Sequence, residues 1–281
     1  MFIHLNCHSN YSFLANDPLI SSRVMGGANR IEDLVQHAAV SGYRALALTD
    51  TNGLYGAVPF YKLALKAGIK PILGTEITYG TQQAVLLAKN MQGFGEICRV
   101  ITDRHLKANF SLAECLKECS ANVIILCSNL KTIQLLLATR GRRDLYFEIG
   151  LSTRGRVNPT SLCPVVATNR VRFIHPEDWE IHRLLTAIKT GTTIHSVPLP
   201  ALASRESWMK PPAMMARLFQ EIPSAISNTL KIAEQCHVIL PTGKPLFPVF
   251  PLPDSRSKTS SHGYLKKLAW EGARKLYRHT D

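Results

Sequence analysis

Short apolar, β-rich runs alternate with amphipathic helical stretches from residue 2 onward, and this alternation restricts the chain to an α/β architecture. FIHL is followed by the helical RIEDLVQHAAVSG, then by RALALT, GAVPFYKLALKAG and KPILGTEITY, a βαβαβ order that buries parallel strands between helices. The order continues through AVLLA, a helix around Phe94 to Thr102, the helical SLAECLKEC, the strand VIILC, a helix through Gln134 to Thr139, and the strands LYFEI and PVVAT. Seven strands with helices between them predict a barrel rather than an open sheet. At 281 residues and 46% hydrophobic, the chain can fill one large barrel or two smaller domains, which excludes disorder as the dominant state.

The texture changes at Pro176. PEDWEIHRLLTAIKTG has a proline and acidic residues where a helix starts and a glycine where it ends. Two more helices are expected, near Met214 to Phe219 and Ser224 to Cys236. In TGKPLFPVFPLPDSRSKTSS, Pro, Gly and Ser break regular structure, so this stretch reads as a linker. The closing GYLKKLAWEGARKLYRH has apolar residues at helical spacing. It is either the first helix of a further segment or a helix that caps the barrel. The expected division is a barrel with its C-terminal helices over 1–245, a Pro/Ser-rich linker over 246–262 and a following helix over 263–281.

The net charge of +13 is concentrated toward the C-terminus, where 181–281 carries fourteen basic side chains against six acidic ones. Such an excess favours polyanionic or acidic partners, although many basic faces are only solvated. The seven cysteines include no CxxC pair, and several sit in apolar runs such as VIILC and SLCPVV. They read as buried thiols of a cytoplasmic protein. The N-terminus opens directly on FIHL, so neither a signal peptide nor a membrane span is expected.

Functional groups of α/β barrels gather where strands end. HLNCHS places His4, Asn6 and His8 at period two, on one face of an extended strand, where two imidazoles can hold zinc or manganese. RALALT ends at Asp50 and Thr51, and PILGTE ends at Glu76. Each acid is a candidate ligand, with a solvated loop position or a helix N-cap as the commoner role. PVVAT is followed by Asn169, Arg170, Val171 and Arg172, and two guanidiniums beside a divalent ion repel it.

FIHLNCHSNYSFL, IEDLVQHAAVSGYRALALTDTNGLYGAVPFYKLALKAGIKPILGTEI and PVVATNRVRFIHPEDWEIHRLLTAIKTGTTI are similar, in order and spacing, to the PHP (polymerase and histidinol phosphatase) region of bacterial DNA polymerase III alpha subunits. The similarity runs on through IPSAISNTLKIAEQCHVILPTGKPLFPVFPLP into GYLKKLAWEGARKLY and is weakest over 100–145. It implies a distorted (βα)7 barrel, which in active members binds up to three metals and hydrolyses phosphoesters. The family's HxH motif reads here Asn6, Cys7, His8, and His4 matches an upstream histidine that is not the expected ligand. Its Asp–His pair reads Asp50, Thr51, while Glu76 matches the bridging acid. A later histidine is expected where Gln82 and Gln83 stand, and the final DxH pair has become Arg170 and Arg172.

The resemblance implies a non-catalytic PHP region of a DNA-directed DNA polymerase acting in DNA replication, with vestigial metal positions at Asn6, His8, Asp50, Thr51, Glu76, Arg170 and Arg172. No catalytic residue, metal or cofactor is expected, and the arginines are expected to pair with Asp50 and Glu76. The implied partners are the remainder of the polymerase and the proofreading exonuclease subunit, with DNA contacted indirectly. By the same resemblance the nucleotidyltransferase palm begins after Tyr277, so this stretch does not polymerise alone. One alternative is a residual zinc- or manganese-dependent phosphoesterase or 3′–5′ exonuclease using His8, Asp50 and Glu76. Another is an anion site in which Arg170 and Arg172 hold phosphate or nucleic acid.

Overall fold

The computed structural model describes residues 1–14, 26–151, 162–243 and 260–277, with 245, 247, 248, 250 and 252 between the last two stretches. The chain divides into two compact units, Met1–Leu240 and Pro241–Asp281. Most of the linker expected over 246–262 lies outside the described residues.

The first unit is built on six strands in the spatial order of the sequence: β1 (Ala45–Leu48), β2 (Lys70–Tyr79), β3 (Gln82–Ala88), β4 (Val123–Cys127), β5 (Leu145–Ile149) and β6 (Val165–Ala167). The residues that read as a first strand close the curled sheet. On one side Ala47 N–H donates to the His4 carbonyl and Thr49 N–H to that of Cys7. On the other, His8 N–H donates to the Val171 carbonyl and Val171 N–H to that of Asn6. The segment thus lies between β1 and the chain that leaves β6, as a distorted seven-stranded barrel requires.

The all-parallel order is corrected at β3, which runs antiparallel to both β2 and β4. Only Gly80 and Thr81 separate Tyr79 from its partner Gln82, and Gly80 takes φ 55° there. A two-residue turn leaves no room for a crossover helix, so β2 and β3 must form a hairpin.

Among the described residues of this unit eight helices follow the expected stretches: α1 (Ile31–Val40), α2 (Ala57–Lys66), α3 (Met91–Leu106), α4 (Leu112–Glu118), α5 (Leu130–Arg140), α6 (Trp179–Thr190), α7 (Pro212–Leu218) and α8 (Pro223–Gln235). A single 3-10 turn over Pro176–Asp178 precedes α6, which stops at Gly191 with φ 63°. Alternate strand residues divide two cores. Ile3, Leu5, Ala45, Ala47, Ile72, Val85, Leu87, Ile124, Leu126 and Val166 fill the barrel interior. Leu46, Leu48, Leu73, Leu86 and Ile125 pack outward with Leu34, Phe60 and Ile97 of the helices. At the strand N-terminal ends, α8 contributes Ile232, Ala233 and Cys236 to the interior. Its Thr229 Oγ1 accepts from Ile3 N–H at 3.1 Å, and its Asn228 donates to the Val165 carbonyl at 2.8 Å. The opposite end of the barrel is left for the polar groups.

All seven cysteines are free thiols. Cys98 and Cys115 are half-buried and the other five are buried. Burial pushes the thiols of Cys127 and Cys236 up to about 11 and about 12, so neither forms a reactive thiolate near neutral pH. In the second unit, α9 (Ser261–Leu276) starts at Ser260, whose side chain accepts from Gly263 N–H, and it buries no residue. No helix among the described residues is long and apolar enough to cross a membrane.

Two glycines check the sheet and helix packing. A Cβ at Gly74 meets the Leu86 carbonyl across the β2–β3 ladder, whereas one at Gly95, in the exposed middle of α3, meets nothing within 4 Å. Gly74→Ala is therefore expected to lower stability by about 1–3 kcal/mol through overpacking. Gly95→Ala should raise it by about 0.5–1 kcal/mol through helix propensity. Urea unfolding of both variants checks the opposite signs.

Candidate functional site

The strand C-terminal ends bring Asn6, His8, Asp50, Thr51, Glu76, Glu148, Arg170 and Arg172 to one mouth of the barrel. Strict alternation places His4 with Asn6 and His8, and the backbone departs from it. Ile3 and Leu5 face the interior, but Cys7 packs in the outer core, so the register slips between Leu5 and Cys7. His4 points away from the mouth, where Nε2 donates to the Lys210 carbonyl at 3.0 Å beside Tyr43, whose hydroxyl donates to the same oxygen. Asn6 and His8 remain at the mouth.

Asp50 is held by the turn that follows His8. Its Oδ1 accepts from Ser9 N–H at 2.7 Å and from the Ser12 hydroxyl at 2.6 Å, and its Oδ2 from the Ser9 hydroxyl at 2.8 Å. These three donors fix the 3-10 turn Asn10–Leu14 against the end of β1, a capping role that needs no ligand. Burial raises the carboxyl's pKa, and the Ser12 and Ser9 hydrogen bonds work against that rise. Thr51, where the family pattern has histidine, offers its hydroxyl to His8 Nδ1 at 3.3 Å.

The centre of the site is a chain of charged hydrogen bonds. Arg172 Nη2 donates to Glu76 Oε2 at 2.8 Å, and Arg170 Nη2 donates to Glu148 Oε2 at 2.8 Å. Between the pairs lies the Asn6 amide. Its Nδ2 donates to Glu148 Oε1 at 2.9 Å and to Glu76 Oε1 at 3.4 Å, and its Oδ1 accepts from His8 Nε2 at 2.8 Å. The two carboxylates fix the orientation of this amide, because its nitrogen must face them. Gln83 Nε2 completes Glu76 Oε1, and the Thr168 hydroxyl completes Glu148 Oε1. Gln82 is elsewhere, accepting from Leu112 N–H, so of the two glutamines only Gln83 belongs to the site.

The expected pairing is corrected in one respect: Arg170 takes Glu148, and among the described residues Asp50 receives no guanidinium hydrogen bond. Asp50 is already saturated by Ser9 and Ser12, whereas Glu148 lies in register with Val166 just before Arg170 leaves β6. Glu148 escaped the sequence reading because LYFEI looks like an ordinary apolar strand. An acid at the penultimate position of that buried run was the available signal.

Glu148 beside Arg170 raises the pKa of this guanidinium further, while burial lowers that of Arg172 against the opposing pull of Glu76. His8 is pushed well below its usual range, by burial first and then by both arginines, and is neutral. Arg170 itself has φ 47°, a left-handed backbone that costs an arginine roughly 1–2 kcal/mol and directs its side chain over the mouth.

These residues do not fit a metal cluster. A divalent ion needs about four good ligands, at least two of them anionic or imidazole. Here Glu76 and Glu148 each accept from a guanidinium, Asp50 faces the Ser9–Ser12 turn, and Arg170 and Arg172 bring two cations. Among the described residues no group of three or more His, Cys, Asp or Glu is placed to hold a metal ion.

Comparison with known proteins identifies the family. The sequence profile described as the PHP domain matches residues 4–148. An error-prone DNA polymerase of Symbiobacterium thermophilum is 32% identical over 98% of this chain and 28% of that protein. The DNA polymerase III subunit alpha of Buchnera aphidicola is 27% identical over 98% of this chain and 26% of its own length, and that of Bacillus subtilis is 29% identical over 100% and 27%. The chain spans about a quarter of the length of the curated relatives it matches.

Buried neutral imidazoles give the unit an acid-sensitive stability. Burial lowers His4 and His182 to about 4, and His8 lies well below 6.5. A histidine whose folded pKa is depressed gives full stability above the unfolded value near 6.5 and loses it as pH falls, because the unfolded chain takes up the proton first. Asp50, whose pKa is raised by burial, acts in the opposite direction, one group against three. Between pH 7 and pH 5 the protein is expected to lose about 2 kcal/mol for each of His4 and His182. Urea unfolding across that range tests the sign; stability that holds or rises on acidification contradicts it.

Proposed function

The chain belongs to the PHP domain family, and we propose that it serves as the PHP region of a bacterial DNA polymerase III alpha chain, non-catalytic and metal-free, in DNA replication. The observation that carries this reading is the pair of guanidinium–carboxylate contacts, each 2.8 Å, in which Arg170, Arg172 and Glu76 stand where the resemblance implies metal ligands. An ion pair between buried groups satisfies the carboxylates without a metal and leaves no hydroxide-generating centre for phosphoester hydrolysis. The barrel then acts as a framework: a support for the remainder of a polymerase and a docking surface for a separate proofreading exonuclease. Relatives named as polymerase subunits, aligned over nearly the whole of this chain, support that assignment.

Protein purified without chelator should carry well below one equivalent of zinc, manganese or iron by elemental analysis. Its thermal midpoint should not move with chelator or with added metal, because a ligand that binds only the folded state shifts that midpoint. Two or more ions per chain, or a manganese- or zinc-stimulated phosphoesterase or 3′–5′ exonuclease activity abolished by Glu76→Gln, would instead establish a surviving enzyme on His8, Asp50 and Glu76.

A further inference from the structure

We propose that the barrel mouth is a metal-independent phosphate site, in which Arg170 contacts the oxyanion and Arg172 supports it from behind. This proposal rests on the metal-free reading of the same site. A cavity of about 410 Å³ opens at the mouth, lined by Arg170, Arg172, Gln83, Ser128, Asn169 and Ser207 among others. That volume lies within the range of small-ligand sites and admits a phosphate attached to a larger group.

The ion pairs leave cationic donors over. A guanidinium has five N–H groups, and the described hydrogen bonds of Arg170 all leave from Nη2, to Glu148 Oε2 and to Ser128 Oγ at 3.0 Å. Its side chain is 36% exposed, facing the cavity that it lines. Arg172 is only 4% exposed, and its Nη1 has no hydrogen-bond partner among the described residues. A buried charged donor without an acceptor costs about 1–3 kcal/mol or more, and such groups usually mark a missing water or ion. Arg172 thus brings an unmet cationic donor to a cavity that the half-exposed Arg170 also lines.

The acids near the cavity are each paired, two of them with the site's own arginines through Nη2. Glu76 and Glu148 accept from the two arginines, and Glu206, which also lines the cavity, pairs with Lys210 at 3.1 Å. Asp50 faces Ser9 and Ser12. Arginine suits this role because its planar fork matches phosphate oxygens and stays charged at any working pH. The Ser128 hydroxyl, which accepts from Arg170, fixes the side chain's direction.

The test uses the full chain in chelator. Inorganic phosphate is titrated calorimetrically into the wild type and into Arg170→Gln, with metal content measured on the same samples. Arg170→Gln leaves Glu148 the Asn6 and Thr168 donors but no cation and is expected to be less stable, so Arg170→Lys, which keeps the charge and loses the fork, separates binding from stability. Saturable binding in chelator, weakened about tenfold or more by either variant, is the expected result. Equal affinity in wild type and variant, or no binding in chelator, overturns the proposal. Binding that appears only with metal overturns it as well, and elemental analysis then shows separately whether the metal-free reading also fails. Single-stranded oligonucleotides with and without a terminal phosphate identify the source. Dependence on the terminal phosphate indicates a DNA end, and equal salt-dependent binding of both indicates the strand backbone. Binding of inorganic phosphate alone indicates a free phosphate or nucleotide.

Discussion

Glu76 and Glu148 are carboxylates sunk in the mouth of a closed barrel, 1% and 2% exposed, and each must have a cation beside it. An isolated ionised carboxylate in a low-dielectric interior is far too costly for a fold of ordinary stability. Here Arg172 answers that requirement for Glu76 and Arg170 for Glu148, each at 2.8 Å. The arrangement works because a guanidinium supplies both charge and directional donors, and because the Asn6 amide joins the two pairs. Removing one partner from such an arrangement typically costs about 3–5 kcal/mol, since the survivor stays buried and unpaired. The same contacts that hold the mouth together are the ones on which the proposed metal-free reading rests.

The barrel was legible because its strands and helices differ in apolar period, and each expected element lies where the alternation puts it. Orientation was harder to read. AVLLA is buried on both faces and carries no directional mark, so only the two-residue Gly80–Thr81 turn could have revealed that β3 runs antiparallel. The period-two argument for His4, Asn6 and His8 fails for a related reason: the closing segment bonds to β1 on one side and to Val171 on the other, and it slips register in doing so. No local pattern announces that slip.

The site was legible in its vestigial positions and not in its connections. Asn6, His8, Asp50, Thr51, Glu76, Arg170 and Arg172 do gather at the mouth, as the resemblance implied. Which acid takes which arginine depends on the register of β5 against β6 and on the turn that saturates Asp50, both of which are tertiary facts. The framework sequences nonetheless align over 98% of the chain with an error-prone DNA polymerase and with a DNA polymerase III subunit alpha.

The central claim is that Glu76 is neutralised by Arg172, and a double-mutant cycle measures this directly. Urea unfolding of the wild type, Glu76→Gln, Arg172→Met and the double variant gives the coupling between the two side chains. A coupling of about 2 kcal/mol or more, with the double variant less destabilised than the single effects summed, is the predicted result. Additivity within about 0.5 kcal/mol would mean that Glu76 is satisfied by something other than Arg172, and would contradict the account.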